Sequence, residues 1–129
     1  MKLCVVVPGL TPLQQARLRE ALRGHEVAFA GDLAADARRA LVAESEVLFG
    51  NVPAAWLVAA PALRWVQLES AGVDAYLGVN AARGDRPLAL THLRGFFDRA
   101  VAEATLAGML ARVASATADR KSTRLNSSH

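Results

Sequence analysis

Short apolar runs alternate with amphipathic stretches along residues 1–90 of the chain. Residues 3–7 are continuously apolar and largely β-branched, which is typical of a strand buried on both faces of a sheet. Pro8 and Gly9 interrupt this run, and Thr11 followed by Pro12 is a favourable N-cap and first helical residue. Apolar residues then recur at helical spacing as far as the next glycine. The pattern predicts a strand, a turn and a helix in succession.

The same unit recurs along the chain. Gly31 and Asp32 predict a turn and a cap before a helix at residues 33–43, and Pro53 opens a short helix that ends near Ala60. Strands are predicted at 26–30, 47–49, 63–68 and 88–90. Because helical segments separate the strands, we expect an α/β fold with a parallel sheet covered by helices on both faces.

The last predicted helix, at residues 96–116, has two apolar faces. One face is a stripe of large apolar side chains, and the other is a row of alanines on a different side of the helix. Two interpretations stay open, namely a helix buried inside its own domain and a helix with a second surface for a partner. The large apolar residues are Leu106, Met109, Leu110 and Val113, and the alanines are Ala100, Ala104, Ala107, Ala111 and Ala114.

The composition changes after Ala118, where residues 119–129 are polar and lack periodicity. We expect a domain at residues 1–118 and a disordered tail at 119–129, which resembles translated adapter or vector sequence; a genuine disordered tail is the alternative. Arg120, Lys121 and Arg124 lie in this tail, so much of the formal charge of +3 belongs to it. The other basic residues are scattered among acids, which argues against nucleic acid as a partner.

The composition is that of a folded globular protein, with 53% hydrophobic and 21% charged residues. Cys4 is the only cysteine, which excludes a disulfide within the chain and a thiolate metal cluster, and its apolar surroundings predict a buried thiol. The sequence carries no signal-peptide pattern and no long apolar stretch, so we expect a cytoplasmic protein without membrane contact.

Candidate chemistry is sparse and lies where strands end. In parallel sheets, ligands bind beyond the carboxyl ends of the strands, which directs attention to residues 8–10, 50–52, 69–74 and 91–95. Ser70, Ala71 and Gly72, the 70–72 loop, can present backbone N–H groups to an anion such as a carboxylate. An ordinary strand-to-helix turn is the alternative. His92 is the best-placed histidine, but the sequence shows no catalytic partner for it.

Several segments, taken in order, resemble the D-isomer-specific 2-hydroxyacid dehydrogenases. They are the stretch Pro61-Ala62-Leu63-Arg64-Trp65-Val66-Gln67, the loop from Ser70 to Asp74, the stretch Thr91-His92-Leu93-Arg94-Gly95, and Val101-Ala102-Glu103. The resemblance covers residues 1 to about 116 and is most specific at 61–112. It implies a flavodoxin-like substrate-binding domain that is incomplete and ends in the helix leading to a nucleotide-binding domain.

The resemblance also implies a function. In that family the loop matching residues 70–72 holds the substrate carboxylate through backbone amides. The catalytic histidine, arginine and acidic residue, and the glycine-rich phosphate loop, lie in the later domain. We therefore expect this chain to supply the substrate-side wall of an NAD- or NADP-dependent enzyme acting on 2-oxo or 2-hydroxy acids. It should be inactive alone, bind neither nucleotide nor metal, and form a homodimer when joined to that domain.

Four further residues are expected at the hinge or the mouth of the pocket, namely His92, Arg94, Gly95 and Phe96. His92 departs from the family pattern, which commonly has asparagine there. A different class of function also stays open, because a flavodoxin-like domain can be a stand-alone binding or regulatory module. A receiver-type regulator would need acidic residues after its first and third strands, where this chain has Pro8-Gly9 and Gly50-Asn51.

Overall fold

The computed structural model describes residues 1–95 and 98–127. Its strands are β1 (Lys2–Val5), β2 (Glu26–Phe29), β3 (Val47–Phe49), β4 (Trp65–Gln67) and β5 (Ala89–Thr91). They form one parallel sheet in the order β2-β1-β3-β4-β5. This order is that of flavodoxin-like folds, and the predicted fold class is confirmed.

The helices of the sheet unit are α1 (Pro12–Ala21), α2 (Ala35–Glu44), α3 (Ala54–Val58) and α4 (Val79–Arg83), and a 3-10 turn spans Asp74–Tyr76. Right-handed crossovers in this strand order place α1 on one face of the sheet and the other three helices on the opposite face. The contacts agree, because α2 packs against α3 and α3 against α4.

The core lies between the sheet and α2, α3 and α4. Cys4, Leu48 and Val66 are partners in register across three adjacent strands and are fully buried. Val42 and Leu57 cover them from α2 and α3. The opposite face is less well covered, since Trp65 on β4 keeps 44% of its surface exposed. The predicted burial of the cysteine is confirmed.

Most predicted elements occur within a few residues of their expected bounds. Thr11 caps α1 as predicted, in a reciprocal capping box with Gln14. The predicted helix cap at Asp32 is wrong, because its Oδ1 accepts from the N–H of Gly9 at 3.1 Å and α2 begins at Ala35 without a side-chain cap. Helix α4 was not predicted, because it is too short to show helical periodicity.

Arg83, the last residue of α4, is buried although no carboxylate pairs with it in the described part of the chain. Its guanidinium donates to the carbonyls of Leu57, Ala60 and Leu63, and its Nε to that of Arg86. Burial lowers the pKa of Arg83, and the charge of Arg86 lowers it further. These hydrogen bonds connect α4 to the carboxyl end of α3 and to the segment between α3 and β4.

The chain divides into two compact units, Met1–Arg94 and Gly95–His129. The described residues of the second unit are Gly95 and those of one helix, α5 (Asp98–Ser127). A single helix cannot bury a stripe against itself. The large apolar residues of the predicted core-facing stripe are exposed, each retaining more than half of its surface: Leu106, Met109, Leu110 and Val113. None of the described helices has the length and apolar character needed to span a membrane.

Helix α5 extends past its predicted end near residue 116. Residues 119–127 are helical, where the composition predicted a tail without structure. Arginine, lysine and leucine, which occur in this stretch, are good helix formers and favour continuation of the helix. Residues 128 and 129 lie outside the described part. The domain limit at 118 and the foreign origin of the tail stay predictions.

Candidate functional site

The carboxyl ends of β3, β4 and β5 meet at one edge of the sheet. Asn51 follows β3, the 70–72 loop follows β4, and His92 directly follows β5. Parallel strands that are neighbours in the sheet bring these three segments side by side. The candidate site is therefore assembled from three separate parts of the sequence.

Asn51 fixes the start of the 70–72 loop with both ends of its side-chain amide. Its Nδ2 donates to Ser70 Oγ at 2.9 Å, and its Oδ1 accepts from the backbone N–H of Glu69 at 3.0 Å. Gly50 allows this placement. Its φ is 119°, and a Cβ there would lie 2.6 Å from Cγ2 of Val6, so only glycine fits the turn after β3.

Every carbonyl of the 70–72 loop accepts a hydrogen bond. The backbone N–H of Leu93 donates to Ser70 O at 3.0 Å, and Ser70 Oγ donates to Gly72 O at 2.9 Å. Nδ1 of His92 lies 2.7 Å from Ala71 O. The loop is thus held through its acceptors, by its own serine and by the segment after β5.

The N–H groups of the same loop are unengaged. Within the part of the chain that the structure describes, the backbone N–H groups of Ser70, Ala71 and Gly72 have no hydrogen-bond partner. Ala71 and Gly72 are exposed, and a Cβ added at Gly72 would meet nothing within 4 Å. Successive unpaired N–H groups in an exposed loop can bind an anion such as a carboxylate.

The contact with Ala71 fixes the proton position on His92. A carbonyl oxygen can only accept, so Nδ1 donates, and a neutral His92 ring carries its proton there. Nε2 is then an acceptor. His92 therefore positions the loop through its contact with Ala71.

Acidic side chains near the loop oppose anion binding. Glu69 precedes it and Asp74 follows close behind. The pKa of Tyr76 is raised mainly by burial and further by the charge of Glu69, against the hydrogen bond to Val52. Any anion affinity of this loop would have to come from its backbone amides, and tight binding of a carboxylate would need a cation from another source.

The predicted site residues divide into three groups. Ser70, Ala71, Gly72 and His92 come together by direct contact. Arg94 is exposed and follows Leu93, the residue whose N–H anchors the loop. Gly95 has a φ of 76°, which favours glycine, and belongs to the second unit. Phe96 lies outside the described residues. The hinge role of these positions stays a prediction.

Sequence reasoning missed Asn51 as a site residue. The sequence predicts a strand-end loop at residues 50–52, and β3 neighbours β4, so an amide side chain there is a candidate partner for the 70–72 loop. Among the described residues no cluster of histidine, cysteine, aspartate or glutamate could hold a metal ion. Comparison of the chain with protein-family models, with curated proteins and with solved structures gave no match.

Proposed function

We propose that this chain is the substrate-binding part of an NAD- or NADP-dependent oxidoreductase that interconverts D-2-hydroxy acids and 2-oxo acids. The observation that carries the proposal is the 70–72 loop, whose carbonyls all accept hydrogen bonds while its N–H groups have no partner among residues 1–95 and 98–127. Such a loop is suited to a carboxylate, the group that these acids share. The order of motifs from Pro61 to Glu103 supports the same function.

The chain's contribution would be to bind and orient the substrate. N–H groups of the loop hold the carboxylate, which fixes the adjacent carbonyl carbon relative to the edge of the sheet. A nicotinamide cofactor, held by a separate domain, would supply the hydride, and that domain would supply the acid that protonates the oxygen. Asn51 and His92 act as positioning residues because their contacts fix the loop.

A chimera tests this proposal. A nucleotide-binding domain from a D-2-hydroxyacid dehydrogenase is fused after Arg112, and oxidation of NADH or NADPH is followed with glyoxylate. We expect reduction of the 2-oxo acid. Gly72→Pro, which removes one N–H donor, should raise the KM for the acid about 10- to 100-fold, because a hydrogen bond to a charged group is worth about 1.5–3 kcal/mol.

Gly72→Ala is the matched control. It keeps the N–H, and its Cβ enters open space, so KM should stay close to that of the unmodified chimera. Cofactor affinity should not change in either variant. A folded chimera that binds NADH but reduces no 2-oxo acid would refute the proposal, and carboxylate binding without reduction would instead favour a stand-alone binding module.

A further inference from the structure

A cavity of about 390 Å³ lies between α1 and the outer strand β2, at the carboxyl ends of β1 and β2. Its polar side chains are Gln15 and Arg19 from α1 and Asp32 from the turn after β2. All of its lining residues belong to the sheet unit, and none of them is part of the 70–72 loop. The cavity is therefore separate from the surface that the proposed function uses.

Asp32 is held at this cavity by the segment after β1. Its Oδ1 accepts from the backbone N–H of Gly9 at 3.1 Å. The neighbouring Gly31 brings the two strand ends together, because a Cβ there would overlap the carbonyl group of Val7 and only glycine fits. Among the described residues, Oδ2 of Asp32 has no hydrogen-bond donor. The carboxylate is thus fixed through one oxygen and can accept from a ligand through the other.

Arg19 brings the opposite charge to the same cavity. Its guanidinium carbon lies 4.6 Å from the centre of the Phe29 ring, where the ring face attracts a cation and holds it in place. None of the ion pairs in the part of the chain that the structure describes includes Arg19 or Asp32. The two opposite charges therefore line one cavity without pairing with each other.

This arrangement selects the charge pattern of a ligand. An anion attracted by Arg19 would be repelled by Asp32, and a cation attracted by Asp32 would be repelled by Arg19. A molecule that carries both charges is attracted by both residues. Leu10, Phe29 and Leu33 add apolar surface to the wall, and Leu33 keeps 41% of its surface exposed. The site thus suits a molecule that joins a positive and a negative group to an apolar side chain.

We infer that this cavity binds a small zwitterion with an apolar side chain, an α-amino acid, whose carboxylate meets Arg19 and whose ammonium group meets Asp32. The volume admits such a molecule, since a cavity of about 150 Å³ already holds benzene. The inference does not rest on the proposed function, because the two surfaces share no residue and the 2-oxo acids carry only the negative charge.

The test is a titration of the isotope-labelled 129-residue chain with leucine and with two compounds that each lack one of its charges. Leucinamide keeps the ammonium group, 4-methylpentanoate keeps the carboxylate, and all three share the side chain. Leucine should shift the amide resonances of Gly9, Gly31 and Asp32 to saturation. Each of the other compounds should bind at least about tenfold more weakly, because it loses one charged contact and meets a like charge.

Substitutions that remove one charge test the two contacts separately. Arg19→Gln should weaken leucine binding about fivefold or more and narrow its advantage over leucinamide. Asp32→Asn, which keeps Oδ1 as an acceptor for Gly9, should do the same against 4-methylpentanoate. Arg17→Gln and Asp36→Asn are the matched controls, because they make the same charge changes outside the cavity lining. All four substituted residues are exposed, so each variant should fold.

Three results would overturn the inference. Leucine could leave the resonances of Gly9, Gly31 and Asp32 in place, or one of the singly charged compounds could bind as tightly as leucine. The control variants could also weaken leucine binding as much as Arg19→Gln and Asp32→Asn do. The proposed function is read at residues 70–72 and survives each of these results.

Discussion

Arg83→Met removes the guanidinium that bonds four carbonyl oxygens inside the sheet unit. The distances to Ala60, Leu63 and Arg86 are 2.8, 2.7 and 2.8 Å, and Leu57 is the fourth acceptor. The methionine side chain keeps most of the apolar stem. The substitution therefore tests the polar contacts and leaves little empty volume.

The magnitude follows from two opposing contributions. Hydrogen bonds from a charged donor are worth about 1.5–3 kcal/mol each, or about 6–12 kcal/mol for four. Removing the guanidinium also removes its desolvation penalty, which is several kcal/mol for a buried ion. The net loss should be about 2–5 kcal/mol of the free energy of unfolding. For a chain of this length each kcal/mol shifts the melting temperature by about 3–5 °C, so the melting temperature should fall by about 6 °C or more.

Urea unfolding followed by tryptophan fluorescence measures this loss through Trp56 and Trp65. Arg86→Met is the matched control, because Arg86 is exposed and the hydrogen bond that it accepts from Arg83 is made by its backbone carbonyl, which the substitution keeps. Its effect should stay within about 0.5 kcal/mol. Equal stability of the two variants would mean that desolvation cancels the carbonyl contacts, and the reasoning would be refuted.

Three other predictions concern the thiol, the loop and the tail. Burial raises the pKa of Cys4 from 9.0 to about 11, against a contact with Ser45 that lowers it. Because the pKa of the thiol is higher in the folded state, its contribution to stability is complete below pH 9 and is lost as pH rises to 11. The free energy of unfolding should therefore fall in that window by about 2–3 kcal/mol, and Cys4→Ala should make the fall smaller. Asn51→Ala should cost about 2 kcal/mol in urea unfolding by removing two hydrogen bonds, whereas an unchanged midpoint would mean that the loop needs no support from β3. Deleting residues 119–129 should leave the melting temperature unchanged in calorimetry, and a loss of several degrees would show that the tail packs on the protein.

The strands were predictable because each combines a short apolar run with flanking turn residues. Cys4, Leu48 and Val66 lie in such runs and form the centre of the core. Helix α4 was not predictable, since a five-residue helix has little more than one turn over which to repeat a pattern. The burial of Arg83 was not predictable either, because its partners are backbone carbonyls, which every residue has whatever its side chain.

The candidate site was predictable in part. A glycine-containing loop at the carboxyl end of a strand predicted exposed N–H groups at residues 70–72. The contacts that hold this loop come from Asn51 and His92, which are 19 and 21 residues away from their partners. Such pairings depend on which strands are neighbours, and the order β3-β4-β5 becomes visible only in the folded sheet.

The central claim is that the N–H groups of the 70–72 loop bind the carboxylate of a 2-oxo acid. The most direct measurement is a pyruvate titration of the isotope-labelled chain, read at the amide resonances of Ser70, Ala71 and Gly72 in the unmodified protein and in Gly72→Ala. These resonances should move together to saturation in both, with one dissociation constant, and Gly72→Pro should raise the dissociation constant read at Ser70 and Ala71 about 10- to 100-fold. Saturating pyruvate that leaves these resonances in place while the protein is folded would contradict the account.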